Sequence, residues 1–340
     1  MRLTEYLHRV VNRADLSAVE AHEAMGVILR GEATTAQIAA FLVALRMKGE
    51  TAPELIGFAR AMREMAEPVR PELGGEPLLD TCGTGGDDAG TFNISTVAAL
   101  VAAGAGVKVA KHGNRSISSR CGSADVLERL GVKISLEARA LARSIEEVGI
   151  GFLFAPLLHP AMKHAQPARL ELKMRTVFNM LGPLANPAGA TAQVVGASSA
   201  EAAALMAEAL AALGLARGFV VHGSDGLDEI TTTGPTLVFE IAGGELRRQT
   251  VEPADFGVAR AAPEELKGGD VEVNAGIVRA ILDGSRGPKR DIVVVNAAAA
   301  LVAAGKTAGF QEGVRLAEEA IDSGAAARKL KDLAGFSGGG

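Results

Sequence analysis

The chain has 340 residues, of which 48% are apolar and 22% charged, a globular composition with length enough for two domains. Aromatic residues make up 4%, and 35 Lys and Arg stand against 40 Asp and Glu, so both a base-stacking platform and a basic footprint for nucleic acid or anionic lipid are argued against. Two cysteines rule out a disulfide framework and make a reduced, cytoplasmic setting the default. The opening residues include Glu5 and Asp15 and hold no apolar core, so they do not read as a signal peptide. The apolar stretch 97–110 contains glycines and Lys108 and falls short of a membrane span.

The first seventy residues read as helices only, near 2–13, 17–30, 35–48 and 52–67. Ser17 with Glu20, Thr34 with Gln37 and Thr51 with Glu54 have capping-box spacing, and each pair opens a run of apolar residues at helical intervals, such as Ile38, Phe41, Leu42 and Leu45. Pro68, Pro71, Gly74, Gly75 and Pro77 break this pattern and mark the best single boundary. Short apolar runs then alternate with helical segments. Strands are expected at 78–82, 107–110, 151–154, 192–196, 218–222 and 237–241, with a weaker one at 249–252. Helices fill 95–104, 123–130, 136–148, 199–213, 272–283, 291–304 and 311–322. Such alternation predicts a mostly parallel sheet flanked by helices, joined to a small all-α domain. Residues 159–189 have no strand pattern and are cut into short helices by Pro160, Pro167, Pro183 and Pro187, so a stretch of about 165–189 is expected to return to the helical domain of residues 1–73. The α/β domain then comprises 74–164 and 190–340, with 337–340 a frayed end.

Three loops carry the chemistry, each directly after an expected strand. The first runs from Asp80 to Asp87 and contains Gly83, Gly85 and Gly86, whose freedom of φ lets successive amides turn toward an anion. It leads through Thr91, Asn93, Ile94, Ser95 and Thr96 into a helix whose N-terminus offers amides and hydroxyls. Neither GxGxxG nor a P-loop is present, and an ordinary strand–helix turn is the bland alternative. The second loop, Lys111 to Ser119, is dense in donors: a lysine as a point charge, His112, Asn114, Arg115 and three serines, with Ser123 as the N-cap of the next helix. The third, 223–229, places Asp228 beside Glu229 in a Gly-containing loop, which suits a hard cation such as Mg²⁺ or a solvated turn. Arg169 is a weaker signal, able to grip a carboxylate or to form a surface ion pair. The combination describes a site for a diphosphate or polyphosphate ester with magnesium.

With GTGGD at 83–87, NIST at 93–96, KHGNRS at 111–116, GSADVLE at 122–128, RTVFNMLGPLANP at 175–187 and DGLDE at 225–229, the chain resembles the anthranilate phosphoribosyltransferase family from its start to about residue 310. The resemblance implies a nucleoside phosphorylase/phosphoribosyltransferase-like fold and a cleft between two domains. It also implies a homodimer formed through the helical domains, and leaves open an association with anthranilate synthase. The implied substrates are anthranilate and 5-phosphoribosyl-1-diphosphate (PRPP), used in the second step of tryptophan biosynthesis from chorismate. Residues matching the PRPP contacts are Gly83, Gly86, Asp87, Thr91, Asn93, Ile94, Ser95 and Thr96, with Lys111, His112, Gly113, Asn114, Arg115, Ser116, Ile117, Ser118, Ser119 and Ser123. Gly83, Asn114 and Arg169 match the anthranilate contacts, and Ser95, Asp228 and Glu229 the magnesium ligands. Two rivals share the architecture: a pyrimidine nucleoside phosphorylase-like enzyme, and a non-catalytic relative that binds nucleic acid.

Displacement of diphosphate from the ribose C1 calls for charge stabilisation set up in advance, and Lys111 is the expected contributor. No strong base stands out. His112 is the nearest candidate to assist proton transfer, against a role in packing the loop. Cys82 and Cys121 read as packing residues. The breakers at 68–77 and 183–189 are the expected hinges of a domain closure.

Overall fold

The computed structural model describes residues 2–86, 89–116 and 120–338. Asp87, Ile117, Ser118 and Ser119 lie outside the described residues. Four helices open the chain, α1 (Leu3–Val11), α2 (Ala18–Leu29), α3 (Thr35–Lys48) and α4 (Ala52–Glu64). The capping boxes form as the spacing predicts: Ser17 Oγ accepts from Glu20 N, and Thr34 Oγ1 accepts from Gln37 N. In the third box only the return half is made. Glu54 accepts from Thr51 N, while the Thr51 hydroxyl is buried without a partner.

The strands are β1 (Leu78–Gly83), β2 (Lys108–Gly113), β3 (Ile150–Phe154), β4 (Ala192–Gly196), β5 (Arg217–Gly223), β6 (Thr236–Ala242) and β7 (Glu245–Val251). Between them run α5 (Ile94–Gly104), α6 (Ser123–Arg129), α7 (Ala138–Glu147), α8 (Ala155–Leu158), α9 (Gln166–Leu172), α10 (Val177–Leu184) and α11 (Ala200–Ala212). The chain closes with α12 (Val271–Leu282), α13 (Pro288–Ala303), α14 (Phe310–Asp322) and α15 (Ala325–Gly338). One seven-stranded sheet has the order β3-β2-β1-β4-β5-β6-β7, with β1 to β5 parallel and β6 and β7 antiparallel. The order reverses between β1 and β4. That is the topological switch point, where loops leave in opposite directions and open a crevice at the carboxyl ends of the strands.

Alternation along the strands serves two cores. Leu79, Val109 and Val194 face one side with α5, α12, α13 and α14. Helix α13 is buried nearly all round, as befits a helix without a polar face. Val195 and Val220 face the other side and join one continuous cluster with α11 and the helical residues Met25, Phe41 and Phe58. Ala165, Ala168, Val177, Phe178 and Leu181 pack into that same cluster, so the proline-cut segment rests on the first four helices. It is fastened to the sheet by Gln193 Nε2, which donates to Pro183 O at 3.0 Å, and to α4 by Arg63 Nε, which donates to Leu184 O at 2.7 Å. The outer strand β7 is exposed over Glu245–Thr250, carries Glu245, Arg247 and Arg248, and turns from β6 through Gly243 and Gly244, both at positive φ.

Three expectations need correction. Strand β2 continues to Gly113, so Lys111 and His112 lie in the sheet and not in a loop. Gly122 is the N-cap of α6, with Asp125 Oδ2 accepting from its amide at 2.9 Å, and Ser123 is the first helical residue. The C-terminal segment is ordered helix through Gly338. Ser337 is buried, and its Oγ accepts from Lys133 N at 2.9 Å.

The helical part depends on Glu54, which is fully buried. It accepts from Leu16 N at 3.0 Å, from Thr51 N at 2.9 Å and from Lys48 Nζ at 3.0 Å. Glu54→Ala leaves the amides of Leu16 and Thr51 without their acceptor and Lys48 with Asp15 as its remaining carboxylate. A buried donor left unsatisfied costs about 1–3 kcal/mol, so urea denaturation followed by circular dichroism should register a destabilisation of at least that size.

Candidate active site

The three loops meet at the switch point. Gly83 at the end of β1 pairs with Gly196 at the end of β4, and Thr84 N donates to Gly196 O at 3.0 Å. The loop after β5 lies directly on these two glycines. A Cβ at Gly196 would stand 1.5 Å from Asp228 O, and one at Gly83 would stand 2.3 Å from Asp228 Oδ2. Only glycine allows this approach. Asp228 Oδ2 accepts from Gly85 N at 2.8 Å, and Glu229 Oε1 accepts from Ser95 N at 3.2 Å. Ser95 is in the first turn of α5, so the helix end holds the Glu229 carboxylate where partial positive charge favours it. Asn296, buried on α13, fixes the chain just after this pair: its Nδ2 donates to Ile230 O and its Oδ1 accepts from Ile230 N.

Lys111 forms the floor. It is 2% exposed, and Nζ donates to Thr81 O at 2.6 Å and to Ser95 Oγ at 3.4 Å. Burial pulls its pKa below the ordinary lysine value, and the Asp80 carboxylate leads the opposing charges. Asp80 is fully buried too. Burial raises its pKa, opposed by Lys111, by Asn186 Nδ2 donating to Oδ2 at 2.8 Å and by His112 N donating to Oδ1 at 3.1 Å. Asn186 also donates to Ala110 O at 2.9 Å and thereby ties β1, β2 and the 183–189 segment together. The expectation that Lys111 stands in a solvated loop is thus replaced: its charge acts from beneath the site, through Ser95. Burial raises the Cys82 thiol well above its usual value, with Asp80 adding to the rise, so a packing role is left for it.

Beyond Gly113 the donor-rich loop is organised by Asp125. Ser116 N donates to Asp125 Oδ2 at 3.2 Å, and Arg115 Nη1 lies 2.8 Å from Asp125 Oδ1 and 2.6 Å from Glu128 Oε2. Ser123 Oγ donates to Asn114 O at 3.2 Å. Asn93 Nδ2 donates to Cys121 O and Asn274 Nδ2 donates to Asn93 Oδ1, each at 3.1 Å, which links the two loops to α12. Thr91 bridges Lys267 in an isolated antiparallel pair. Ile94 and Thr96 are buried, with the Thr96 hydroxyl unpartnered.

His112 and His159 meet at a tilt of 50°, with 5.2 Å between ring centroids. Burial lowers His112 to about 4 and His159 to about 3, so both are neutral at physiological pH. His112 Nδ1 contacts Gly182 O at 3.2 Å, and the Nε2 atoms of both rings are buried without a partner. Arg169, on α9, sits on the helical side of the molecule with its guanidinium 5.2 Å from the Phe178 ring centre. It pairs with no carboxylate among the described residues, and none of their hydrogen bonds joins it to Gly83 or Asn114. Sequence reasoning had no place for Asp80, Asn186 or Asn296. It also missed Arg175, whose guanidinium would lie 3.1 Å from a Cβ on Gly86. The quoted motifs contain Arg175 and Asn186, but their roles depend on contacts with strands far away in the chain.

Residues 4–66 match the helical bundle domain of a glycosyl transferase family, and residues 75–327 match the a/b domain of the same family. The fold and the site therefore define a glycosyl transferase. The chain is 66% identical over 337 residues to the anthranilate phosphoribosyltransferase of Solibacter usitatus, covering 99% of each. The Thermus thermophilus enzyme of that name, known from its crystal structure, aligns with a TM-score of 0.92 at 48% identity, over 97% of this chain and 98% of that one. The Saccharomyces cerevisiae enzyme in complex with PRPP and Mg aligns at 0.91 and 30% identity, over 99% and 98%. The chain belongs to the anthranilate phosphoribosyltransferase family.

The contact of Gly196 with Asp228 can be tested directly. Gly196→Ala must push the 225–229 loop off the sheet, and turnover should fall at least about a hundredfold while far-UV circular dichroism is retained, a cost in the range of one lost preorganised contact. Gly276→Ala on α12, where a Cβ meets nothing within 4 Å, should leave turnover unchanged.

Proposed function

We propose that this chain transfers the phosphoribosyl group of PRPP to the amine of anthranilate, giving N-(5-phosphoribosyl)anthranilate and diphosphate, with Mg²⁺ as cofactor. The observation that carries this reading is the convergence of the Gly85 amide, the Ser95 amide and hydroxyl, Asp228 and Glu229 at the switch point, over a buried lysine. Among the described residues no three His, Cys, Asp or Glu side chains gather for a metal. Two carboxylates and a hydroxyl are nonetheless the modest protein share that Mg²⁺ takes when it keeps waters and a substrate phosphate. Ser95, Asp228 and Glu229 would hold it, and when bound it supplies charge neutralisation to the leaving diphosphate.

The chain's own groups do the remaining work. The amides of Gly83 and Gly86 face the diphosphate, and the α5 N-terminus, whose amides are held by Glu229 and by the carbonyls of Phe92 and Asn93, contributes its dipole. Lys111 lends its field through Ser95, placed before the reaction and needing no reorganisation. Asn114 and Arg169 bind anthranilate, Arg169 through the carboxylate, which aligns the amine with C1. The attacking amine is neutral and gives up its proton late. His112, neutral and of low basicity, is better suited to orient the floor than to act as base. The exposed side chains of Val11, Val19 and Met47 on and beside the first helices provide an apolar face for the homodimer. No described helix is long and apolar enough to cross a membrane, and Cys82 and Cys121 form no disulfide, in keeping with a cytoplasmic enzyme.

Anthranilate fluorescence should decay when PRPP is added with Mg²⁺, and chelation of the metal should stop the decay. Phosphorolysis of thymidine or uridine without that decay would overturn the reading in favour of a nucleoside phosphorylase. Arg169→Ala should raise the KM for anthranilate about 10–150-fold with kcat at saturation little changed, the loss of a charge-assisted hydrogen bond worth about 1.5–3 kcal/mol. Steady-state kinetics that leave this KM at the wild-type value would remove Arg169 from the site.

A further inference from the structure

A second concave site lies between the end of α12 and the start of α13. Its volume is about 360 Å³, within the range of small-molecule sites. Ile277, Ala280 and Ile281 form an apolar wall, and Arg286, Lys289 and Arg290 bring three cations to the same cleft. Two of these cations share the single carboxylate of Asp322. Arg290 is 2% exposed. Its Nη1 bonds to Asp322 Oδ1 at 2.6 Å and to Gly284 O at 3.3 Å, but its Nη2 is buried with no partner. Lys289 Nζ donates only to a carbonyl, Glu265 O, and burial lowers its pKa. Arg286 reaches Asp322 Oδ2 only at 3.6 Å and is largely in solvent. The one carboxylate lining the cleft, that of Glu265, already accepts from Ala262 N at 2.8 Å. The amides of Arg290 and Asp291 turn back to Gly287 O, so the positive character comes from side chains and not from the helix end.

A buried guanidinium edge left unpaired is costly unless an acceptor completes it. A carboxylate offers an acceptor to such a nitrogen and a negative charge to the neighbouring cations, and the aliphatic wall suits an apolar body beside that head group. We infer that this cleft binds a small organic carboxylate with an apolar body, at a site separate from the transferase centre. The cleft also shares a wall with the catalytic loops. Lys289 lies 6.0 Å from the centre of the Phe92 ring, Gly268 N donates to Gly90 O at 2.9 Å, and Lys267, two residues after Glu265, bridges Thr91. Occupancy therefore bears on the segment that leads into Asn93 and Ser95.

The test uses the full chain, benzoate as the probe and hydrogen–deuterium exchange as the readout, because peptide resolution separates this cleft from the catalytic loops. Saturable protection of 283–291, extending to 264–269, is expected. Arg286→Ala and Lys289→Ala should each raise the half-saturating benzoate concentration at least tenfold, and Arg286→Ala should turn over as wild type when benzoate is absent. Cyclohexylamine, an apolar body with the opposite charge, should give no protection. Protection that fails to saturate, that persists unchanged in both variants, or that never appears overturns the inference. Tighter protection by inorganic phosphate than by benzoate overturns the assigned apolar body.

Discussion

The architecture turns on two opposite charges taken out of water. Lys111 and Asp80 lie on the neighbouring parallel strands β2 and β1, each 2% exposed or less, and each feels the other's field while bonding to other groups. Two such charges are expensive to desolvate and are tolerated only when their donors and acceptors are filled. Here they are. The ammonium is taken by Thr81 O and Ser95 Oγ, and the carboxylate by Asn186 and by the backbone of His112. The arrangement fixes β1 against β2, pins the start of α5 from below and anchors the proline-cut segment through one asparagine. A sheet edge that must present several backbone amides to a highly charged ligand needs a floor that does not shift, and this one is set by electrostatics instead of apolar packing alone.

Much of this was readable in the chain. Capping boxes at Ser17 and Thr34, proline punctuation and alternating apolar runs place the helices and strands to within a few residues, because each is a local signal. The glycine loop was readable for the same reason: a run of small residues after a strand has few structural uses. The misreadings share one cause. Lys111 and His112 look like loop residues because their polarity argues against a buried strand, and the groups that make burial tolerable, Thr81 O and Ser95 Oγ for the ammonium and Asp80 for the His112 amide, come from distant stretches invisible to local pattern. The last helix escapes notice because Gly335 and Gly338 read as breakers, whereas Ala326 packs closely on Gly104 and Ser337 is tied to Lys133. Of the candidate site, the residue types were legible and the roles were not. Arg115 looks like a phosphate ligand in a string, yet it pairs with Asp125 and Glu128 and braces its own loop.

The helical part and the sheet are not two separate cores. Helix α11 packs against α4 as well as against β5 and β6, and the apolar cluster runs unbroken from Phe41 and Phe58 to Val195 and Val220. Arg169 is therefore carried on a body welded to one face of the sheet.

The exposed rim formed by β7 has a consequence of a different kind. A sheet that ends in an unpaired strand invites another chain to extend it, yet here Glu245, Arg247 and Arg248 line the last strand and keep it charged and hydrated. Growth of the sheet into fibres is thereby discouraged at this border. Crowding of the protein is steered instead toward its other surfaces, and the Gly243–Gly244 turn, on the side remote from the chemistry, becomes the natural place to graft a label or a tether.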